Sequence, residues 1–302
     1  MDRVITIIVT YNGSKWIRKC LQCVLNNTTK TDIMILDNNS SDNTLDVIDP
    51  FLDKIELIKL PSNLGFGKAN NIGIQKALNK GYSHVFLLNQ DAYVQQDTIA
   101  KLLATSSQNP EYGIISPLQL KNSEDELDEV FSNQVKKHYQ PDIDQLREDL
   151  SKKNISEVKE VKFAGAASWF MTSELLKKAG LFHPKFYHYG EDNNLAARAQ
   201  YFGFKVGIQV STSIVHDRKP RVASKYLPTK LRTFPLHFLL DIRKPFLVAW
   251  LVGYYQLIHI WTKLQKISGK KYESLFLETK NWFFAHVKEA KIIRAELKEG
   301  YK

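Results

Sequence analysis

Carboxylates and amides stand in this sequence at points where apolar runs give out. FLLNQDAYV, residues 86–94, sets Asn89, Gln90 and Asp91 directly behind the apolar Phe86–Leu88. Thr10–Tyr11–Asn12 follows the β-branched run that begins at Arg3, and Asp37–Asn38–Asn39 follows Ile33–Leu36. One such cluster is ordinary turn chemistry, because Asn and Asp hydrogen-bond their own backbone. Three at equivalent places point to a shared ligand, with oxygens for a hard cation or acceptors for N–H and hydroxyl groups. Glu191–Asp192 is a second centre. A carboxylate pair at a helix start either compensates the helix dipole or supplies a base for proton abstraction.

The elements that carry these residues alternate. Arg3–Thr10, Asp32–Leu36, Ile55–Leu60 and Ser83–Leu88 read as buried strands. Between them, Ser14 caps a helix with Ile17, Cys20, Leu21 and Val24 on one face, and Ser41/Asp42 starts a short one. A third helix runs from about Gly65 to Asn79, with Gly81 as its left-handed stop. Strand–helix alternation with short links predicts an α/β fold with a parallel, doubly wound sheet covered on both faces. In such sheets ligands bind beyond the carboxyl ends of the strands, where all three polar clusters fall. Residues 121–160 break the pattern, with five acidic residues in Glu124–Glu129 and irregular stretches at His138–Asp142 and Lys152–Asn154. They read as an insertion, either a mobile or helical lid over the crevice or a solvated excursion. The sheet resumes at Val161–Thr172. Ser173–Ala179 then forms a helix stopped by Gly180, and the 183–208 stretch supplies an aromatic loop, the carboxylate pair, a helix and a strand.

Seven motifs follow in one order: TYN (10–12), LDNNSSD (36–42), NLGFGKANNIG (63–73), LLNQDAYV (87–94), GAASWF (165–170), FYHYGEDNNLAAR (186–198) and VHD (215–217). Over residues 3–220 the chain resembles the family 2 glycosyltransferases of GT-A fold, especially bacterial rhamnosyltransferase-like members. That resemblance implies a Rossmann-like, mostly parallel sheet in a catalytic domain of residues 1–220, followed by a basic helical region, 221–302. It implies inverting, metal-dependent transfer of a sugar from a UDP- or dTDP-sugar to a saccharide or lipid-linked acceptor.

The resemblance also assigns roles. Asp91 and His216 would hold Mg2+ or Mn2+ against the diphosphate, with Asn89 in the first place of the family's D-x-D or N-x-D motif. Thr10, Tyr11, Asn12, Asp37 and Asn39 would contact base and ribose, a carboxylate suiting the imide N–H of uracil or thymine; Asp37 is equally a helix cap. Gly67 and Asn70, with Gln90, would lie near the nucleotide or donor sugar. The Gly-rich run is not a dinucleotide fingerprint, because Asn70 replaces the third glycine and the run does not follow the first strand. Asp192 would be the base and Glu191 a group that orients or contacts acceptor. Asn194 stands where the family often has another Asp, and Arg198, four residues on, faces it to brace the loop. Trp169, Tyr187 and Tyr189 would stack on sugar, with core packing an equal reading for Trp169.

The rest of the composition sets the context. The chain has 302 residues, 43% hydrophobic and 25% charged, an ordinary globular balance. Its first residues lack signal-peptide organisation, and two cysteines make no disulfide framework, so a reducing cytoplasm is expected. The C-x-x-C of Cys20 and Cys23 has no second pair for zinc. From Arg218 onward, 18 Lys/Arg face 6 Asp/Glu, while the first 217 residues hold 24 against 26. Within that basic tail, Phe246–Trp261 is an apolar run of 16 residues, short of a membrane span. It reads either as a helix in the membrane interface, at the inner face of the plasma membrane where cell-surface polysaccharide is assembled, or as a helix packed on the catalytic domain or at a homodimer contact. Nucleic acid is not expected, because the basic residues flank apolar faces. Two rivals share the sequence features. A sugar-1-phosphate nucleotidyltransferase needs a Gly-rich basic loop after the first strand, which TYNGSKW does not provide; a non-catalytic nucleotide-sugar-binding protein differs only in turnover.

Overall fold

The computed structural model describes residues 2–121, 126–151, 158–218 and 223–300. Glu124 and Asp125 of the acidic run and the break at Lys152–Asn154 lie outside the described residues. The first half follows the sequence pattern. Strands β1 (Val4–Thr10), β2 (Asp32–Asp37), β3 (Glu56–Lys59) and β4 (His84–Asn89) alternate with helices α1 (Ile17–Leu25), α2 (Thr44–Ile48) and α3 (Phe66–Asn79). They pair in parallel, in the order β3-β2-β1-β4. α1 buries the four residues its spacing selects. Past the end of α3, Gly81 takes φ +74°, and the Gly81 and Tyr82 N–H groups close on the carbonyls of Leu78 and Ala77.

Beyond β4 the sheet becomes mixed, adding antiparallel strands to the mostly parallel sheet expected. The order of elements is β5 (Ala92–Val94), α4 (Thr98–Gln108), β6 (Tyr112–Leu120), α5 (Glu129–Val135), α6 (Ile143–Ser151), β7 (Val158–Val161), β8 (Ser168–Thr172), α7 (Ser173–Ala179), α8 (Glu191–Tyr201) and β9 (Lys205–His216). The full order is β3-β2-β1-β4-β8-β6-β9-β5, with β7 also on β9. β8 runs antiparallel to both β4 and β6, and β5 and β7 run antiparallel to β9. The expected strand Val161–Thr172 is split because side chains, not a ladder, satisfy the backbone in its middle. Gly165 donates its N–H to Gln134 Oε1 at 2.8 Å, and its carbonyl accepts from Gln119 Nε2 at 3.0 Å. The described part of the insertion is largely helical.

Period-2 alternation divides the core. Ile5 and Ile7 of β1 face a cluster with α3, α7 and α8, while Val4 and Ile8 face one with α1 and α4. A third cluster joins the tail helices α9 (Ala223–Leu239), α10 (Phe246–Ser268), α11 (Glu273–Ala285) and α12 (Val287–Glu299). Phe186, from the aromatic loop, is buried inside it. Thus α10 is packed against the rest of the chain on one side, and no described helix is long and apolar enough to cross a membrane.

Candidate active site

Sheet register puts the polar strand ends side by side. Thr10 pairs with Asp37, and Val9 with Asn89, so the residues that follow them open onto one edge. A cavity of about 380 Å³ lies there, lined by Tyr11, Asn38, Asn63, Gly65, Asn89, Gln90, Asp91, Tyr187 and His188 among others. Gln90 is its hinge: Oε1 accepts from the Thr10 hydroxyl at 2.6 Å and from the Tyr11 N–H at 3.0 Å. Asn12, at φ +48°, ties the first loop to the second, accepting from the Ser41 N–H at 2.9 Å. Asp37 is buried and accepts from the Ser40 N–H at 3.2 Å, which holds the turn. Asn38, not Asn39, lines the cavity. It donates to Asn63 Oδ1 at 3.0 Å and accepts from the Leu64 N–H at 2.8 Å, while Asn39 is exposed at φ +67°. Gly65 sits at φ +80° where any Cβ would strike the Tyr187 carbonyl.

Two residues expected near the nucleotide are elsewhere. Asn70 is buried and spends its amide on the Phe66 carbonyl of its own helix, at 3.0 Å. Gly67 lines neither cavity: a Cβ there would meet Phe182 at 3.0 Å and Glu191 at 3.6 Å, so its smallness serves helix–loop packing.

A second chamber of about 300 Å³ adjoins the first, sharing Asn89, Asp91, Phe66 and His188 with it. Asp91, Glu191, Asp192, Tyr189, His216 and Arg218 all line it. Strand pairing explains why distant residues meet: β5 lies antiparallel on β9 with Ala92 opposite His216, and the Asp217 N–H donates to the Asp91 carbonyl at 2.8 Å. His216 Nε2 thereby comes to 3.5 Å from Asp91 Oδ1, while its Nδ1 is buried without a partner among the described residues. α5 forms one wall through Phe131 and Gln134. Asp128 caps that helix through the Phe131 N–H at 2.9 Å and also pairs with Arg218, so the insertion is latched to the residue two after His216. Arg218 and Asn38 were not singled out from sequence. An arginine near a basic tail and the middle of three Asx residues carry no distinguishing signal there.

The carboxylate pair occupies unequal surroundings. Glu191 is 4% exposed, and its Oε2 has no partner among the described residues. Burial first, then the charge of Asp192, pushes its carboxyl well above the usual carboxylate range, which favours the protonated form of Glu191. Asp192 is half-buried on the chamber wall. Their shared helix is anchored by Arg198, which donates to Asn194 Oδ1 at 3.0 Å and to the carbonyls of Ala179 and Leu181.

Trp169 is not an acceptor platform. It is fully buried, stacked on Phe182 with ring centroids 6.3 Å apart, and its indole N–H donates to the Ala164 carbonyl at 2.9 Å. Core packing claims both its face and its polar edge. The two tyrosines divide: Tyr187 is exposed on the first cavity, and Tyr189 lines the second, edge-on to Tyr226 at 5.2 Å.

The sequence profile described as Glycosyl transferase family 2 matches residues 5–169, from β1 into β8. The chain belongs to glycosyl transferase family 2. Asp91 lies inside the matched span, and the Glu191–Asp192 pair and His216 lie beyond it. A curated relative, the dTDP-rhamnosyl transferase RfbF of Shigella flexneri, is 22% identical over 236 residues, 75% of this chain and 74% of that protein. Other curated relatives are matched over less than half of their own length. Among solved structures, Staphylococcus aureus TarS 1–349 superposes with a TM-score of 0.62 at 12% identity, covering 98% of this chain and 89% of that one. The mannosyltransferase PcManGT of Pyrobaculum calidifontis, in complex with GDP-Man and Mn2+, gives 0.60 at 17% identity, covering 98% and 84%. The family 2 chain thus has the GT-A architecture, a curled sheet flanked by helices, with a helical C-terminal region.

Proposed function

We propose that this family 2 member transfers a sugar, with inversion, from a UDP- or dTDP-sugar to a hydroxyl of a saccharide or lipid-linked acceptor. One observation carries the reading: Asp91 and Asp192, a hundred residues apart, line one chamber that opens into the cavity at the strand ends. In this reading the nucleoside occupies the first cavity, between Tyr11 and Tyr187, with Asn38 in the place expected for Asn39. The diphosphate crosses Asn89 and Asp91 into the second chamber. The RfbF relative, a dTDP-rhamnosyl transferase, supports a pyrimidine donor.

Asp91 Oδ1 and His216 Nε2, a carboxylate oxygen and an imidazole nitrogen 3.5 Å apart, suit a divalent cation such as Mg2+ or Mn2+. Among the described residues no group of three His, Cys, Asp or Glu surrounds it, so the donor's own oxygens and water would complete its shell. When bound, such a cation offsets the charge of the departing diphosphate. Asp192 takes the proton of the acceptor hydroxyl as the anomeric carbon gains positive character. Glu191, protonated, offers a hydrogen-bond donor instead of a second negative charge, the division of labour expected when two carboxyls sit in unlike environments.

Asp192→Asn tests the assignment. Transfer should fall by about a thousandfold or more while nucleotide affinity, read by calorimetry, stays within about twofold. Ordinary turnover by this variant would remove Asp192 as the base.

A further inference from the structure

The tail helix α10 is apolar nearly all the way round. One side, through Ala249, Gly253, Leu257, Ile260 and Leu264, fills the tail core. The other side faces outward for its first four turns without a charged residue: Leu247 is 66% exposed, Leu251 51% and Tyr255 61%, spaced four apart on one ridge. Val248 stands beside them, and Phe284 of α11 extends the patch, with its ring 5.8 Å from that of Trp250 and 5.5 Å from that of Tyr254. A helix apolar all round belongs in an interior, and a contiguous exposed apolar face marks a contact surface.

We propose that this face of α10, with Phe284, rests on an anionic phospholipid bilayer. Lysines surround it. Lys263 and Lys266 follow at the C-terminal end of the apolar ridge, Lys280 stands four residues before Phe284 on α11, and the exposed Lys288 lies on α12 just past the helix break at His286. Lys291 sits over the Phe246 ring at 5.0 Å. Two of the nearby acids are already neutralised: Asp241 is buried between Arg243 and Lys244, and Glu289 pairs with Lys185. An apolar ridge carrying Tyr and Trp, rimmed by Lys, has the chemistry of the headgroup boundary. A second copy fits less well, because each tail carries 18 basic against 6 acidic residues, and face-to-face pairing would oppose like charges. The inference is independent of which residue acts as base.

The test is sedimentation of the full chain with vesicles, at about 0.1 M salt, where surface charges still act across roughly 10 Å. Vesicles with a substantial phosphatidylglycerol fraction should carry the protein down about tenfold more strongly than pure phosphatidylcholine. The double variant Leu247→Glu with Leu251→Glu should lose that binding by a similar factor, with an unchanged circular dichroism spectrum and unchanged hydrolysis of soluble donor. Lys280→Glu with Lys288→Glu should remove the preference for anionic lipid. Wild type left in the supernatant with anionic vesicles, or variants that sediment like wild type, overturns the proposal. So does a dimer seen by light scattering that Leu251→Glu dissociates, which would give the face to a second copy.

Discussion

Glu191 opens α8 with one carboxylate oxygen buried and without a partner among the described residues, and that placement has a cost that varies with pH. An unfolded glutamate gives up its proton near 4.5, whereas the folded one holds it to about 8. Below 4.5 both states are protonated and nothing is lost. Between 4.5 and 8 the unfolded chain releases a proton that the folded chain keeps, so stability falls as pH rises through that window. Glu191→Gln removes the titration. It should match wild type at pH 4 and exceed it by a margin that grows as pH rises through that window, as read by denaturant melts at both ends. A constant offset across pH would show that Glu191 is not held neutral. The sequence brought Asp91 and Asp192 forward by residue type, and they do share a chamber. It missed Asn38 and left Trp169 open between sugar and core for a common reason. Which of two adjacent amides faces a cavity, and whether an aromatic lies in or beside the core, depends on side-chain direction at a strand end, which composition does not encode.

At the scale of elements, α1, α3 and α7 were legible because their signals are local: an apolar stripe, or a glycine stop. The mixed half of the sheet was not. β6 is buried along its whole length and so has no alternation to read, and the reversal of β8 is set by long-range pairing with β4 and β6. Arg198 ties these later elements to the site. It is fully buried, and its guanidinium bridges Asn194 on α8 to the carbonyls of Ala179 and Leu181, the residues that lead from α7 into the aromatic loop. Arg198→Met keeps much of the stem but leaves those buried acceptors unmet. It should cost about 3–5 kcal/mol in chemical denaturation, and transfer should fall even where the protein remains folded. A loss below about 1 kcal/mol would mean that water replaces the guanidinium and that the loop is held otherwise.

At the scale of the whole molecule, the charge count separated a basic tail from a near-neutral remainder, yet gave no hint that one aromatic residue stitches them together. Phe186 belongs by sequence to the loop that carries Tyr187, Tyr189 and the carboxylate pair, but it is buried among Leu231, Leu239, Leu257 and other tail residues. Its ring lies 3.1 Å from where a Cβ on Gly190 would stand, and the His237 Cβ of α9 lies 3.7 Å from that same point. Gly190, at φ +95°, is the residue immediately before Glu191. The tail therefore backs the turn that aims the carboxylate pair, and loosening it should reach the chemistry. Phe186→Ala opens a cavity in that shared core, at a cost of about 3–5 kcal/mol. Hydrogen exchange should show amides of α9 and α10 losing protection while β1, β2 and β4 keep theirs. Transfer should drop together with that protection, and donor binding in the strand-end cavity should change little. Uniform loss across sheet and tail would instead make the two a single cooperative unit, with Phe186 one core residue among many.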